Sequence, residues 1–597
     1  MLSLFYGVFV VKNIVLLLVF ILSFPLNDIF AQQLTILHTN DLHSKLTGYG
    51  PESDYSPREI NNDNTLGGFA RMATIINSQK QKAPEETLVI DAGDFLMGSL
   101  FHVPEQETGF QLNLMHKMGF DYITLGNHEF EFGSEVLAKI IEAAQKEGGH
   151  PKIVASNLVF SKSVEDDKLQ HLFENGTILP HEVFEKNGLK IGIFGLIGID
   201  AASVAPASKP VTFANPFKTA AKTAKYLKEV EKVDIIILLS HAGIVKDEKT
   251  GAFTGEDFKI AEKAPEIDII IGAHTHSRTP QFLKAGKTFI VQTGSYGAEM
   301  GKIELSFENG KISNFNFELL PVDDKIKGDE TVQHEIEDYI SIIDKNYLEP
   351  ANLKYAEIIG KTAFDHTIDF EKLSESNLGP FIADATKYYL DKTGNAVDVS
   401  LVAAGTIREN LVAGKSGLIT PADAFRVMSL GNGKDNFPGY PLAKIYITGR
   451  EIKDLTEAIV MLSKKGGDGF IYYSGLEIVI NPKKGFLKKV QQVKINGQQI
   501  DLSKKNTQLY AISANTYLLS FIGRVKKMSF GLLKVQPKDK NGIPVTDIFN
   551  QLADADKNRD GIQEAKEWIA LIEYIRSFEK GSDGVPEIPV KYRSAKN

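Results

Sequence analysis

Five short polar blocks carry most of the chemistry this chain can do: Asp41-Leu-His43, Gly93-Asp94, Gly126-Asn-His-Glu129, Ser240-His241 and Gly272-Ala-His-Thr-His276. Their side chains are carboxylates, amides and imidazoles, and no thiol competes, because the chain has no cysteine. Asp41, His43, Asp94, Asn127, His241, His274 and His276 are candidate ligands for two divalent ions. Two cations about 3.5–4 Å apart hold a bridging water, lower its pKa and clamp the charged oxygens of a phosphate ester. A carboxylate such as Asp94 can bridge both. Nitrogen and oxygen donors suit Zn, Mn, Fe or Mg-like ions and do not choose among them. Any one block alone reads as a turn or a helix cap. All of them, in this order, read as a site.

Such a site needs elements that bring distant blocks together. Apolar, β-branched runs at 34–37, 87–90, 235–239 and 267–271 precede four of the blocks, so strand ends deliver the ligands. From 34 to about 320, strand-like runs such as 189–196 alternate with amphipathic stretches such as 216–230, the pattern of a layered α/β domain. Residues 331–348 space Val332, Ile336, Tyr339, Ile340 and Ile343 as a helix does, and segment 321–354 reads as a surface linker. A second α/β segment spans 355–536, with a helix at 378–390 and strands at 397–402, 443–447 and 476–480. The polar stretch 537–544 reads as a linker, and 545–597 as a small helical tail.

The blocks Leu37-His-Thr-Asn-Asp-Leu-His43, Asp91-Ala-Gly-Asp-Phe95, Thr124-Leu-Gly-Asn-His-Glu-Phe130 and Gly272-Ala-His-Thr-His276 resemble the calcineurin-like metallophosphoesterases. Within them, the chain looks most like the bacterial branch of 5'-nucleotidases, UDP-sugar hydrolases and cyclic-nucleotide phosphodiesterases. The resemblance implies a four-layer α/β/β/α catalytic domain, then a second α/β domain of the 5'-nucleotidase C-terminal type. It implies one metal on Asp41, His43, Asp94 and His276, and the other on Asp94, Asn127, His241 and His274. His276 stands where that branch often has Gln. By the same resemblance His128 is the catalytic histidine, stabilising charge on the transferred phosphoryl group. Glu131 supports it, in a position usually held by Asp.

The second segment carries the resemblance with changes. Glu375-Ser-Asn-Leu-Gly-Pro-Phe-Ile-Ala-Asp384 looks like the opening of the family's substrate domain, and Ala403-Ala-Gly-Thr-Ile-Arg408 takes the place of its Asn-Gly-Gly-Gly-Ile-Arg motif. Arg408 is kept, and a guanidinium can fork onto a phosphate or carboxylate. Lys372 replaces another Arg and loses the bidentate geometry. Ala403 replaces an Asn that would bond the base or sugar, and Leu430 replaces a stacking aromatic. Tyr517 fits the second aromatic position, but no Gly-Gly-Asp-Gly follows it; Gly466-Gly-Asp-Gly-Phe470 lies earlier and reads as a turn. Each lost stacking contact removes about 1–3 kcal/mol of base recognition. The hydrolytic centre is therefore expected intact and the nucleoside clamp half dismantled.

Length and composition bound the rest. At 597 residues the chain needs more than one core, and a net charge of -9 argues against nucleic acid as a partner. Residues 1–31 read as an export signal, with Lys12, an apolar run at 14–24, Pro25 and a small-residue exit near Ala31. An uncleaved anchor is the competing reading. With no cysteine, the periplasm, the cell surface or the exterior is the expected location, with no membrane span once the signal is removed. In the tail, Asp556, Asn558, Asp560, the Ile562 carbonyl and Glu567 have EF-hand spacing and predict a structural Ca2+. The expected protein is an exported, two-metal phosphoester hydrolase acting on a small phosphorylated substrate, a nucleotide first. A non-nucleotide phosphate, a cyclic nucleotide or a sulfate-ester-like group is the alternative substrate. A calcium-stabilised surface binding protein with a vestigial site is the reading from another class.

Overall fold

The computed structural model describes residues 31–247, 250–435, 437–521 and 532–594. Residues 1–30 of the expected export signal lie outside them.

Two sheets build the first domain. The larger has seven strands, in the order Lys311–Pro321, Glu299–Glu308, Gln32–Thr39, Thr87–Asp91, Tyr122–Ile123, Lys152–Val154 and Ile178–Leu179. The smaller has six: Leu283–Ala285, Thr288–Val291, Ile269–Gly272, Ile235–His241, Leu189–Ile197 and Glu182–Lys186. Side chains alternate strictly along the central strands. Leu34, Ile36, Leu88, Ile90, Ile237, Leu239, Ile269 and Ile271 fill one core between the sheets. Leu37 and Val89 point the other way, into helices such as Phe69–Lys82 and Ser134–Lys146. Ile236, Leu238 and Ile270 likewise meet the layer formed by Pro216–Tyr226 and Glu256–Lys263. Both faces of each sheet are therefore buried, which is why these strands read as unbroken apolar runs. The result is the α/β/β/α sandwich. The central pairings are parallel, so the C-terminal ends of Gln32–Thr39, Thr87–Asp91 and Tyr122–Ile123 emerge on one edge, as do those of Ile235–His241 and Ile269–Gly272 on theirs.

Helix Glu330–Ile343 comes next, capped by Asp329, whose carboxylate accepts the N–H of Thr331 and Val332. It was expected as a mostly solvated linker. Instead it seats Val332, Ile336, Tyr339 and Ile343 in the helical layer of the first domain, with the Tyr339 ring stacked 3.7 Å from Phe110.

The second domain is built on a four-stranded sheet in the order Leu442–Thr448, Leu509–Asn515, Val399–Ala403 and Ile471–Ser474, with a three-stranded sheet beginning at Leu476–Ile480 beside it. Helix Leu378–Lys392 packs on its face, and Thr448 and Glu451 close a capping box at the head of Gly449–Lys465.

Two expectations fail in the tail. Residues 537–544 are not a free linker: Lys538 bridges to Tyr446 on the edge strand, and its ammonium holds both oxygens of Glu451. The expected helical tail opens not on a helix but on a 3-10 turn, Ile548–Gln551. The helix beyond it, Glu567–Arg576, belongs to the second domain's core. Trp568, at the head of that helix, is fully buried, meets Phe425 edge-to-face at 5.2 Å and donates to the Pro438 carbonyl.

Candidate metal centre

All seven candidate ligands lie at the strand ends of the first domain, and distance sorts them. Donor atoms of Asp41, His43 and His276 come within 4.8 Å of one another, as do those of Asp94, His241 and His274. A third such set, His43, Asp94 and His128, joins the two. Asn127 belongs with the second group, its Oδ1 3.2 Å from His241 Nε2. Asp94 Oδ2 is 3.0 Å from the same nitrogen.

The backbone is bent to achieve this. Asp41, His43, Asp94, His274 and His276 all adopt positive φ, between 50° and 77°. An L-residue there costs roughly 1–2 kcal/mol, and such cost concentrates where function fixes geometry. Gly126 is required by proximity: a Cβ on it would lie 2.2 Å from Asp94 Oδ1 and 2.6 Å from His241 Cε1.

Partners on the far side of the imidazoles set their tautomers. His43 Nδ1 faces the Met97 carbonyl at 3.0 Å, and His241 Nδ1 faces the Ala92 carbonyl at 3.0 Å. A carbonyl only accepts, so Nδ1 carries the proton and Nε2 presents a lone pair to the centre. His274 uses the opposite nitrogen, its Nε2 bonded to Asp200 Oδ2 at 3.1 Å. His43 Nε2 and His276 Nε2 approach to 2.9 Å, with Asp41 Oδ1 3.8 Å from the latter. Lone pairs and carboxylate oxygens converging in a buried place, with too few protons among them, fit divalent cations.

The electrostatics agree. Burial holds His43 well below the usual histidine range, and His276 down to about 3 with help from Arg408, so both imidazoles are neutral and free to act as ligands. Asp94 is buried, which alone would raise it, yet the imidazoles of His241 and His128 hold it well below the carboxylate range; the same pairing raises His241, against its burial, to about 10, and a cation at Nε2 would displace that proton. Burial, reinforced by Asp94, raises Asp41 to about 8. Two buried carboxylates that cannot comfortably share negative charge are what bound cations would relieve.

His128 stands beside the ligands. Its backbone N–H donates to Asp94 Oδ1 at 2.8 Å, and Glu131 Oε1 lies 3.1 Å from its Nδ1. Arg408, from the second domain, brings Nη2 to 3.3 Å from His128 Nε2. Tyr517 stacks on Tyr440 at 5.3 Å and remains 38% exposed. Lys372 is exposed at the head of Leu373–Glu375, and among the described residues no hydrogen bond or ion pair joins its ammonium to the cluster.

Three groups escaped the sequence reading, and a turn it named supports the site. Glu129 is fully buried, and its carboxylate accepts the N–H of Asp94, Leu96 and Gly126, tying two ligand loops together. Tyr296 follows a buried strand and lies between Gly294 and Gly297, edge-on to His43 and His276; it is one more polar strand-end block. Tyr440 pairs across a hairpin with Leu430, its N–H bonding the Leu430 carbonyl, so an aromatic ring returns beside the position that lost one. The turn Gly467–Gly469 packs on Gly405, where a Cβ would lie 2.6 Å from that of Asp468, so it supports the Arg408 segment.

Glu567, expected to close the EF-hand, is 3% exposed and turns its carboxylate to Asn515 Nδ2 at 2.8 Å. Asn558, Asp560 and Ile562 stay exposed on the loop. Among the described residues, every trio of His, Asp or Glu donors close enough to share an ion lies in the first domain. The carboxylate was drawn into the core because it starts the buried Trp568 helix.

The fold and this donor set define a class, the metal-dependent phosphoric ester hydrolases. Residues 34–278 match the calcineurin-like phosphoesterase model and residues 358–523 that of the 5'-nucleotidase C-terminal domain. Residues 34–278 thus form a calcineurin-like phosphoesterase domain and residues 358–523 a 5'-nucleotidase C-terminal domain, and the protein is an enzyme of 5'-nucleotidase-like type. It is 28% identical over 516 residues to the trifunctional nucleotide phosphoesterase protein YfkN of Bacillus subtilis, covering 81% of this chain but only 32% of that protein. It is 25% identical over 514 residues to the 5'-nucleotidase of Vibrio vulnificus, covering 79% of this chain and 82% of the relative. Its fold is similar to that of a 5'-nucleotidase precursor from Thermus thermophilus, with TM-score 0.65, 21% identity, and 93% and 99% of the two chains covered.

Proposed function

We propose that the protein is an exported phosphomonoesterase that uses two divalent ions and takes 5'-nucleotides as its first substrate class. The observation that carries this is the sharing of one carboxylate: Asp94 contributes to the donor set with His241 and His274 and to the set with His43. Asp41, His43, Asp94 and His276 would hold one ion, and Asp94, Asn127, His241 and His274 the other. When bound, such ions supply an activated hydroxide and neutralise phosphoryl oxygens. The remaining work falls to the chain. His128, set by Glu131, donates a hydrogen bond or charge to the phosphoryl group as it transfers. Arg408 approaches the same place from the second domain and orients the substrate. Tyr440 and Tyr517 offer an aromatic face for its distal part.

Nucleotides are favoured because the Vibrio relative is named a 5'-nucleotidase and a further relative, from Tabanus yao, an apyrase. One observation favours a second reading, a broader phosphate ester. Tyr440 and Tyr517 stack directly on each other, and Ala403 offers no polar contact for a base. Export rests on the apolar run at 14–24; no helix among the described residues is long and apolar enough to cross a membrane. A calcium ion at the tail loop would require Glu567 to leave Asn515 Nδ2, 2.8 Å away.

The test is hydrolysis of AMP, UDP-glucose, a 2',3'-cyclic nucleotide, a sugar phosphate and an aryl phosphate with added Mn or Zn. Preference for AMP is expected. Sugar or aryl phosphates cleaved while AMP is spared would favour the second reading, and no hydrolysis of any of them would overturn both.

A further inference from the structure

Arg408 reaches His128 because something holds its segment there. Its N–H donates to the Val427 carbonyl at 2.9 Å, within the second domain. Its carbonyl accepts from the Tyr296 hydroxyl at 3.0 Å, across the domain boundary. The next residue, Glu409, accepts the ammonium of Lys45, which also donates to the Gly98 carbonyl at 3.0 Å. Gly98 adjoins Met97, whose carbonyl orients His43. Arg426 lies behind Glu409, with Nε 3.4 Å from Oε1, and reaches back to Glu52 at 3.1 Å and to the Gly50 carbonyl. The Glu52 N–H in turn donates to Asp423 at 2.9 Å. The side chains of Lys45, Glu409, Arg426 and Glu52 are only 2%, 2%, 5% and 7% exposed.

We propose that Lys45, Tyr296, Glu409 and Arg426 form an interdomain latch that seats Arg408 against the metal face, and that they are positioning residues for the reaction. This rests on the function proposed above, in which Arg408 orients the substrate. Buried ion pairs add little net stability, because desolvation offsets most of their attraction. They do require one geometry. Glu409, Arg426 and Asp423 pair among themselves within the second domain, but Lys45 and Glu52, buried on the first, meet their charged partners only when the domains sit in this register, so the network specifies where the Arg408 guanidinium stands without making the docked state irreversible. The apolar interface cannot do this, since packing tolerates small slides that a set of directed hydrogen bonds does not. Lys45 and Tyr296 also touch the ligand loops, so the elements that bind metal and those that receive Arg408 are the same.

The experiment compares the full-length, Mn-loaded protein with Lys45→Met/Glu409→Gln, which removes both charges of the pair and leaves neither buried alone. Hydrolysis of an aryl phosphate, metal content, melting temperature and small-angle X-ray scattering are measured. The expected result is an unchanged metal content and a folded chain, with kcat lower by about tenfold or more, the scale set by misplaced catalytic groups, and a larger radius of gyration. A folded, metal-loaded double variant with wild-type kcat, KM and scattering overturns the latch. If that variant does not fold, Tyr296→Phe decides, since it keeps the ring and deletes only the bond to the Arg408 carbonyl: lower kcat with unchanged metal content supports the latch, and wild-type kcat overturns it. A wild type inactive on every phosphate ester counts against the proposed function, and the scattering comparison then judges the latch alone.

Discussion

Asp94 carries more of the site than any other side chain, because it faces His241, meets the His128 backbone and lies within reach of His43. Asp94→Ala should lower hydrolysis by more than about 10²-fold, since even partners outside the ligand sphere act on that scale; aryl phosphate turnover beside metal content measures it. Asp200 is such an outer partner, bonded to His274 Nε2 at 3.1 Å. Asp200→Asn should weaken metal affinity by about 10–100-fold with kcat at saturating metal preserved, as read by competition with a chromogenic chelator. Glu567 gives a prediction about pH. Burial raises its carboxyl from 4.5 to about 7. Below 4.5 both folded and unfolded chains hold the proton; between 4.5 and 7 the unfolded chain ionises first, so folding loses stability as pH rises. Glu567→Gln should therefore raise the melting temperature above about pH 8 and leave it unchanged near about pH 4, the two sides of that window. Calcium-dependent stabilisation that this substitution abolishes would instead return Glu567 to the tail loop.

At the scale of elements, the sequence is most readable where burial is symmetric. The runs that became Thr87–Asp91, Ile235–His241 and Ile269–Gly272 are apolar throughout because helices or a second sheet cover both faces. Their polar ends stand out against that background, which is why the side chains that converge at the candidate centre could be picked out from type and order alone. The tail is harder to read. An acidic loop before a helix has EF-hand spacing, but spacing does not register that Trp568 drags the first turn of that helix, with Glu567, into the second domain's core. Trp568→Ala should cost about 3–5 kcal/mol, read by urea unfolding of the full chain. A surface-tail helix would lose far less. Tyr440 was missed for a related reason. Its hairpin partner, Leu430, is fixed by backbone pairing between 430 and 440, and no local pattern announces which side chains then meet.

At the scale of the whole molecule, the second domain completes the first. His128 receives Glu131 from its own domain and Arg408 from the other. The sequence carried this division of labour only in outline, through Arg408 and the family motifs. The interface that enforces it, from Lys45 and Glu52 to Glu409 and Arg426, consists of charges that look like ordinary surface residues until the domains meet. The central claim remains the metal centre, and one measurement addresses it most directly: the protein is stripped with a chelator, then titrated with Mn or Zn while bound metal and aryl phosphate hydrolysis are followed together. Activity absent in the stripped protein and restored as the second equivalent binds per chain is the predicted result. Full hydrolysis after stripping, or saturation at a single equivalent, would contradict it.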